Sequence, residues 1–291
     1  MRALPEIAVE DDFALKGGTA INLFVRNLPR LSVDIDLVYL PVAEREASLD
    51  AIRSAFGRIA GRIRERVRAK VDEQTSADGK RLVVRLAGAQ IKIELSPVLR
   101  GTVFAPELRQ VSSHVEDRFG YAEIQVVSFP DLYGGKIAAA LDRQHPRDLF
   151  DVHHLYENEG VTDDLFTAFL VYLISHNRPP HELLAPNLHD VASEYEGEFA
   201  GMTVEPVALD VLIGARSKLI EDILGRARKP DASGFLMSFY EGQPDWSLLR
   251  IETEVAVLPA VMWKQRNLER LRTEQPDKFS RQLAALTKVL E

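Results

Sequence analysis

Apolar positions follow two different periods along the first half of the chain, and the switches between them mark its elements. Phe13-Ala14-Leu15-Lys16 predicts a short strand, which Gly17-Gly18 closes with a turn. Thr19 to Val25 then reads as a helix, and Val33-Asp34-Ile35-Asp36-Leu37 alternates like a strand, closed by Pro41. Leu49, Ile52, Phe56, Ile59, Ile63 and Val67 recur every three or four residues and predict one amphipathic helix over 43–70. Asp78-Gly79 is a hairpin signal between that helix and two strands, 81–87 and 90–95, the second ended by Pro97. A strand at 121–127 and helices at 130–142 and 146–156 follow.

Beyond residue 160 the strand signals fade. Helical segments separated by Pro and Gly take over, at 163–176, 188–197, 206–225, 252–258 and 259–290. The expected fold class is α/β (α+β). A small mixed sheet flanked by helices occupies 1–158, and a mostly helical domain occupies 159–291. Trp246 and Trp263 in the helical part are expected in its core.

Composition narrows the chemistry. The absence of cysteine excludes disulfides, thiolate metal sites and cysteine nucleophiles, and it fits a reducing compartment. No apolar run is long enough to span a bilayer, and the first residues turn acidic at Glu6 instead of building a signal-peptide core. A cytoplasmic location with no membrane partner is therefore expected. A net charge of −8 argues against a general nucleic-acid binder. Arg62, Arg64, Arg66, Arg68 and Lys70 form a local basic run, but helical spacing spreads them around more than one face, as on a solvated helix.

Carboxylates on a core strand are costly unless a cation sits against them. Asp34 and Asp36 point to one face of their strand, roughly 6–7 Å apart, while Val33, Ile35 and Leu37 point to the other. Such a pair suits Mg²⁺, which takes hard oxygen ligands together with water and phosphate oxygens. The Gly17-Gly18 turn lets backbone N–H groups approach an anion, and the following helix adds its positive end. Glu94, on a strand expected beside the first, is a candidate third carboxylate. Lys136 and Arg143, seven residues apart, share a helix face and could offset the charge of a triphosphate. Asp148 and Asp151 share a face of the next helix, where they could orient Lys136 or Arg147, touch the nucleotide or aid deprotonation of the acceptor. His153 and His154 are adjacent, cannot face one site together and are read as structural.

These residues carry a family resemblance. Lys16-Gly17-Gly18-Thr19-Ala20, Arg30-Leu31-Ser32-Val33-Asp34-Ile35-Asp36-Leu37, Ile93-Glu94-Leu95, Lys136-Ile137-Ala138-Ala139 and Arg147-Asp148-Leu149-Phe150-Asp151-Val152 resemble the AbiEii/AbiGii nucleotidyltransferase toxins, of the DNA polymerase β-type superfamily. Phe235-Leu236-Met237-Ser238-Phe239, Gly242-Gln243-Pro244-Asp245-Trp246 and Leu258-Pro259-Ala260-Val261-Met262-Trp263-Lys264 extend the resemblance over about residues 10–270. It implies that Asp34, Asp36 and Glu94 hold Mg²⁺, or Mn²⁺ in its place. It implies that Gly17, Gly18 and Thr19 form the phosphate-binding turn, that Lys136 binds the triphosphate, and that Lys136, Asp148 and Asp151 join the catalytic set; Lys16, Ser32, Arg143 and Arg147 are expected beside them as nucleotide-binding residues. The superfamily's usual Gly-Ser is Gly-Gly-Thr here, so a threonine hydroxyl must serve. The resemblance also implies a toxin with a cognate antitoxin, transferring NMP to an RNA acceptor, the tRNA 3′ end first among them. Transfer to a protein or small-molecule hydroxyl, and nucleotide or partner binding without turnover, are the alternatives.

Overall fold

The computed structural model describes residues 1–32, 34–76, 79–251 and 254–291. Val33, Asp78 and the start of the segment expected at 252–258 lie outside them. Two compact units result. One is Met1–Ser128 with Met202–Glu205, and the other is Phe129–Gly201 with Pro206–Glu291. The sequence reading draws its boundary at 158; by compactness, the helices of 129–157 go with the helical unit.

The first unit begins with α1 (Leu4–Ala8), β1 (Phe13–Lys16) and α2 (Gly17–Ala20), which runs on into a π-helical turn, Ile21–Val25. β2 (Asp34–Tyr39), α3 (Arg45–Arg62), β3 (Lys70–Ser76), β4 (Gly79–Leu86), β5 (Ala89–Arg100), β6 (Glu107–Gln110), α4 (Ser113–Phe119) and β7 (Glu123–Val126) follow. Among the described residues they form a seven-stranded sheet of order β3-β4-β5-β2-β1-β7-β6. It is mixed: β2 runs parallel to β5 and β1 parallel to β7, whereas β1–β2, β3–β4, β4–β5 and β6–β7 are antiparallel. Period-2 alternation works here as expected. Leu15, Ile35, Leu37, Leu82, Ile93 and Leu95 are buried. Phe56 and Ile59 of α3 join them, and Phe56 meets Phe13 edge to face with ring centroids 5.9 Å apart.

The structure departs from the expected elements in ways that have physical causes. The helix expected to Lys70 stops earlier, because Arg68 turns left-handed (φ 59°) and the chain enters β3 at Lys70. β3 and β6 are edge strands, so they lack an alternating apolar face to announce them. Pro97 does not end β5, which runs on to Arg100 with a register shift opposite Leu37–Tyr39.

The helical unit comprises α5 (Phe129–Arg143), α6 (Pro146–Glu157), α7 (Asp163–Ser175), α8 (Pro180–Leu184), α9 (Ala192–Glu198), α10 (Leu209–Ala227), α11 (Pro230–Tyr240), α12 (Pro259–Glu274) and α13 (Pro276–Leu290). α11 was not predicted. The helix expected over 259–290 is two, because Pro276 drives Gln275 out of the helical region (φ −139°, ψ 61°). α5 and α7 touch at Gly134, where a Cβ would meet the backbone nitrogen of Phe169 at 2.9 Å. The small residues beside Lys136 thus serve a neighbouring helix. Trp246 packs against Phe235 and Phe239, with ring centroids 5.6 and 6.1 Å away. Trp263 breaks the expectation: it is 53% exposed.

Candidate active site

Strand register builds the first half of the site. Lys16 of β1 lies opposite Asp36 of β2, Asp36 beside Glu94 of β5, and Glu94 opposite Arg81 of β4. Paired positions share a face, so four neighbouring strands present a row reading cation, carboxylate, carboxylate, cation. Asp34 stands one step along the same face of β2, beside Lys92. Burial pushes the Lys16 ammonium below the ordinary lysine range, and Asp36 opposes that shift. Arg81 forms an ion pair with Glu94. The Glu94 oxygen that meets Arg81, Oε1, is itself buried.

The glycine turn is fitted to this row. Gly17 has φ +71°, and a Cβ there would collide with Oδ2 of Asp36. At Gly18 a Cβ would sit 2.8 Å from Nη2 of Arg30 and 3.0 Å from Oγ of Ser32. Both glycines are therefore required by close approach. The Thr19 side chain is buried; its hydroxyl lies 3.0 Å from Ser32 Oγ and donates to the backbone carbonyl of Asp34. Thr19 and Ser32 tie the turn to the start of β2, and the Asn22 amide holds the Gly18 carbonyl at 2.7 Å. Arg30, 3% exposed, is the residue the sequence reading gave no role. Its place within the Arg30–Leu37 motif was the signal available. Nη1 donates to the Leu31 carbonyl at 2.9 Å, and the guanidinium lies against Gly18.

The remaining expected residues form a separate constellation in the helical unit. Lys136 Nζ donates to Asp148 Oδ1 at 2.8 Å and reaches Asp151 Oδ2 at 2.9 Å. Asp148 and Asp151 are each 1% exposed and Lys136 is 7% exposed. Arg143 grips Asp148 with a fork, Nε to Oδ2 at 2.5 Å and Nη2 to Oδ1 at 3.0 Å, while its own side chain stays 62% exposed. Burial alone would raise the Asp148 carboxyl, but the charges of Lys136 and Arg143 outweigh it and hold the group well below the usual carboxylate range. Arg147 turns elsewhere, to Glu198 at 3.4 Å beside His145. His153 and His154 flank Glu157 at 3.3 and 3.8 Å. Three members of the basic run are engaged in pairs: Arg62 joins Arg58 on Glu10, Arg64 meets Glu73, and Arg66 meets Glu6.

Among the described residues no three His, Cys, Asp or Glu side chains gather closely enough to grip a metal ion. The donors still suit a hard divalent cation: Asp34, Asp36 and Glu94 are oxygen ligands that share one sheet face.

A glycine turn fitted against a carboxylate strand in a mixed sheet, with a helical unit following, is the arrangement that the sequence resemblance implies for a nucleotidyltransferase. The family described as nucleotidyl transferase AbiEii toxin, type IV toxin–antitoxin system, matches residues 1–265, and the chain belongs to that family. Among solved structures it is similar to MenT4, the nucleotidyltransferase toxin Rv2826c from Mycobacterium tuberculosis H37Rv, with a TM-score of 0.56 over 98% of this chain and 89% of that one. At 16% identity that likeness concerns the fold. No curated protein matches the sequence. Among the described residues, no helix is long and apolar enough to cross a membrane.

Proposed function

We propose that this toxin transfers NMP from an NTP to a hydroxyl of an RNA acceptor, with the tRNA 3′ end as the first acceptor to test, and releases pyrophosphate. The observation that carries the reading is the register row Lys16–Asp36–Glu94–Arg81 with Gly17 pressed against Asp36. In the reaction the acceptor oxygen bonds the α-phosphorus, the bridging bond to pyrophosphate breaks, and the hydroxyl loses its proton. Asp34, Asp36 and Glu94 would hold Mg²⁺ or Mn²⁺, which supplies charge neutralisation at the phosphates. The Gly17-Gly18 turn would offer backbone N–H groups to phosphate oxygens, and Lys16 adds a desolvated cation beside it. Thr19 and Ser32 position the turn. Arg143 is the member of the helical cluster that solvent reaches, so it is the one placed to meet an anionic substrate, with Asp148 fixing its orientation. In this reading Lys136 and Asp151 act by holding Asp148.

The test incubates the protein with Mg²⁺, each labelled NTP in turn, and total tRNA, beside the Asp36→Asn variant. Label in tRNA from one donor, lost by at least about a hundredfold in the variant, is expected for a carboxylate that acts on the transition state. Full transfer by Asp36→Asn overturns the reading. Label that enters protein or a small molecule instead moves the acceptor to the second class.

A further inference from the structure

We propose that a cleft in the helical unit binds single-stranded RNA, with a base stacked on Trp263; the choice of RNA rests on the acceptor proposed above. The cleft has a volume of about 550 Å³ and lies among α12, α13, α8 and the loop after α7. That is within the roughly 300–1,000 Å³ of sites that hold nucleotide-sized ligands. Trp263, Asn267, Arg270 and Glu274 come from α12 at spacings of four, three and four, so one helix face supplies an indole, an amide and a cation in sequence. Lys278 of α13 lines the same cleft.

The chemistry favours a nucleic acid over an apolar protein partner. Trp263 is 53% exposed, whereas Trp246, half-buried, packs on Phe235 and Phe239. The side chains of Arg270 and Lys278 make no hydrogen bond or ion pair with described residues, whereas Arg178 is already spent on Asp142 and Glu182, each at 2.9 Å. Against these cations stands Glu274, besides the paired Glu182. Lys264, 8% exposed, donates to the carbonyls of His176 at 2.5 Å and Arg178 at 3.2 Å. It thereby caps the negative end of α7, which would otherwise repel a phosphate entering the cleft. An exposed aromatic face, amides for base edges and uncommitted cations for phosphates make a stacking platform. A protein-binding patch would instead be depleted of charge at its centre.

Fluorescence anisotropy with the full chain tests this, using labelled oligoadenylate and oligouridylate of about eight nucleotides, within the usual site size for single strands. Trp263→Ala is expected to weaken binding about tenfold, with most of the affinity kept by Trp263→Phe. Arg270→Ala with Lys278→Ala should flatten the slope of log affinity against log salt by about 1.4, the share of two phosphates on a single strand. Asp36→Asn should bind the probes as the wild type does, which separates this site from the transfer reaction. Unchanged probe affinity in Trp263→Ala overturns the cleft proposal while leaving the transferase reading intact, and so does wild type that binds neither probe. If Trp263→Ala keeps its RNA affinity but loses a copurifying protein, the cleft belongs to that protein and the proposal falls. Circular dichroism of each variant confirms folding, which an exposed indole and exposed cations should not disturb.

Discussion

The protein carries two clusters of mixed charge, and burial makes them different devices. In the sheet row, Arg81 is 46% and Glu94 31% exposed, and the cations flank the carboxylates from neighbouring strands. In the helical cluster, Lys136, Asp148 and Asp151 are 7%, 1% and 1% exposed and hold one another at 2.8–2.9 Å. Charges near water can exchange a side-chain partner for a ligand at small cost. Charges out of water cannot, because removing one member leaves the others buried and uncompensated. The Arg81–Glu94 end of the first cluster is therefore suited to binding, and the second cluster to holding α5 on α6.

The largest effect that can break this contrast is at Lys136. Lys136→Met keeps the stem and deletes the ammonium, leaving two buried carboxylates facing each other. A loss of about 3–5 kcal/mol is expected, read as a fall in Tm of about 10 °C. A variant that keeps its Tm but loses nucleotide transfer would make Lys136 a ligand-binding residue, as the family resemblance implies, and would erase the distinction between the clusters.

Acid comes next. The folded Asp148 carboxyl is held below its ordinary value of 3.8, so it binds a proton more readily in the unfolded chain. Its stabilising contribution is complete above that ordinary range and is lost as pH falls through it toward the folded value. Urea titrations should show a stability nearly level from pH 7 to about 5 and dropping below about pH 4. Asp148→Asn should be weaker at neutral pH and flatter below it. An acid limb of equal steepness in both proteins would show that Asp148 is not the group responsible.

The same contrast explains what could be read in the sequence. Asp34, Asp36, Gly17 and Gly18 were legible because strands and tight turns impose short-range rules: a period of two, and positive φ without a Cβ. The shared face of Lys136 and Arg143 followed from the helical period, and both do reach Asp148. What each side chain meets across elements was not legible. Nothing local says that Lys136 is closed off by two carboxylates, that Arg147 leaves for Glu198, or that Arg81 comes opposite Glu94. Those depend on register and helix packing, which unite residues far apart in the chain. The edge strands β3 and β6 escaped for a related reason: without a buried face they carry no apolar alternation. Trp263 inverts a good general rule, that a large indole goes inside, and lines the cleft instead.

The smallest effect sharpens the comparison most, because it separates binding from stability in one residue. Arg81 and Glu94 are a half-exposed cross-strand pair, worth at most about 1 kcal/mol. Arg81→Gln should therefore lower Tm by no more than about 2–4 °C, well short of the Lys136→Met change. Glu94, however, loses the cation that now occupies its buried Oε1. If Glu94 is the third metal-holding carboxylate, Arg81 competes with the ion, and Arg81→Gln should bind Mn²⁺ more tightly than the wild type in a calorimetric titration without nucleotide. Weaker binding would mean instead that Arg81 holds Glu94 in place for the ion. Unchanged binding would remove Glu94 from the set and leave Asp34 and Asp36 as the carboxylates that matter. In each case the near-constant Tm is the control: only a charge still within reach of water can be deleted without unsettling the fold around it.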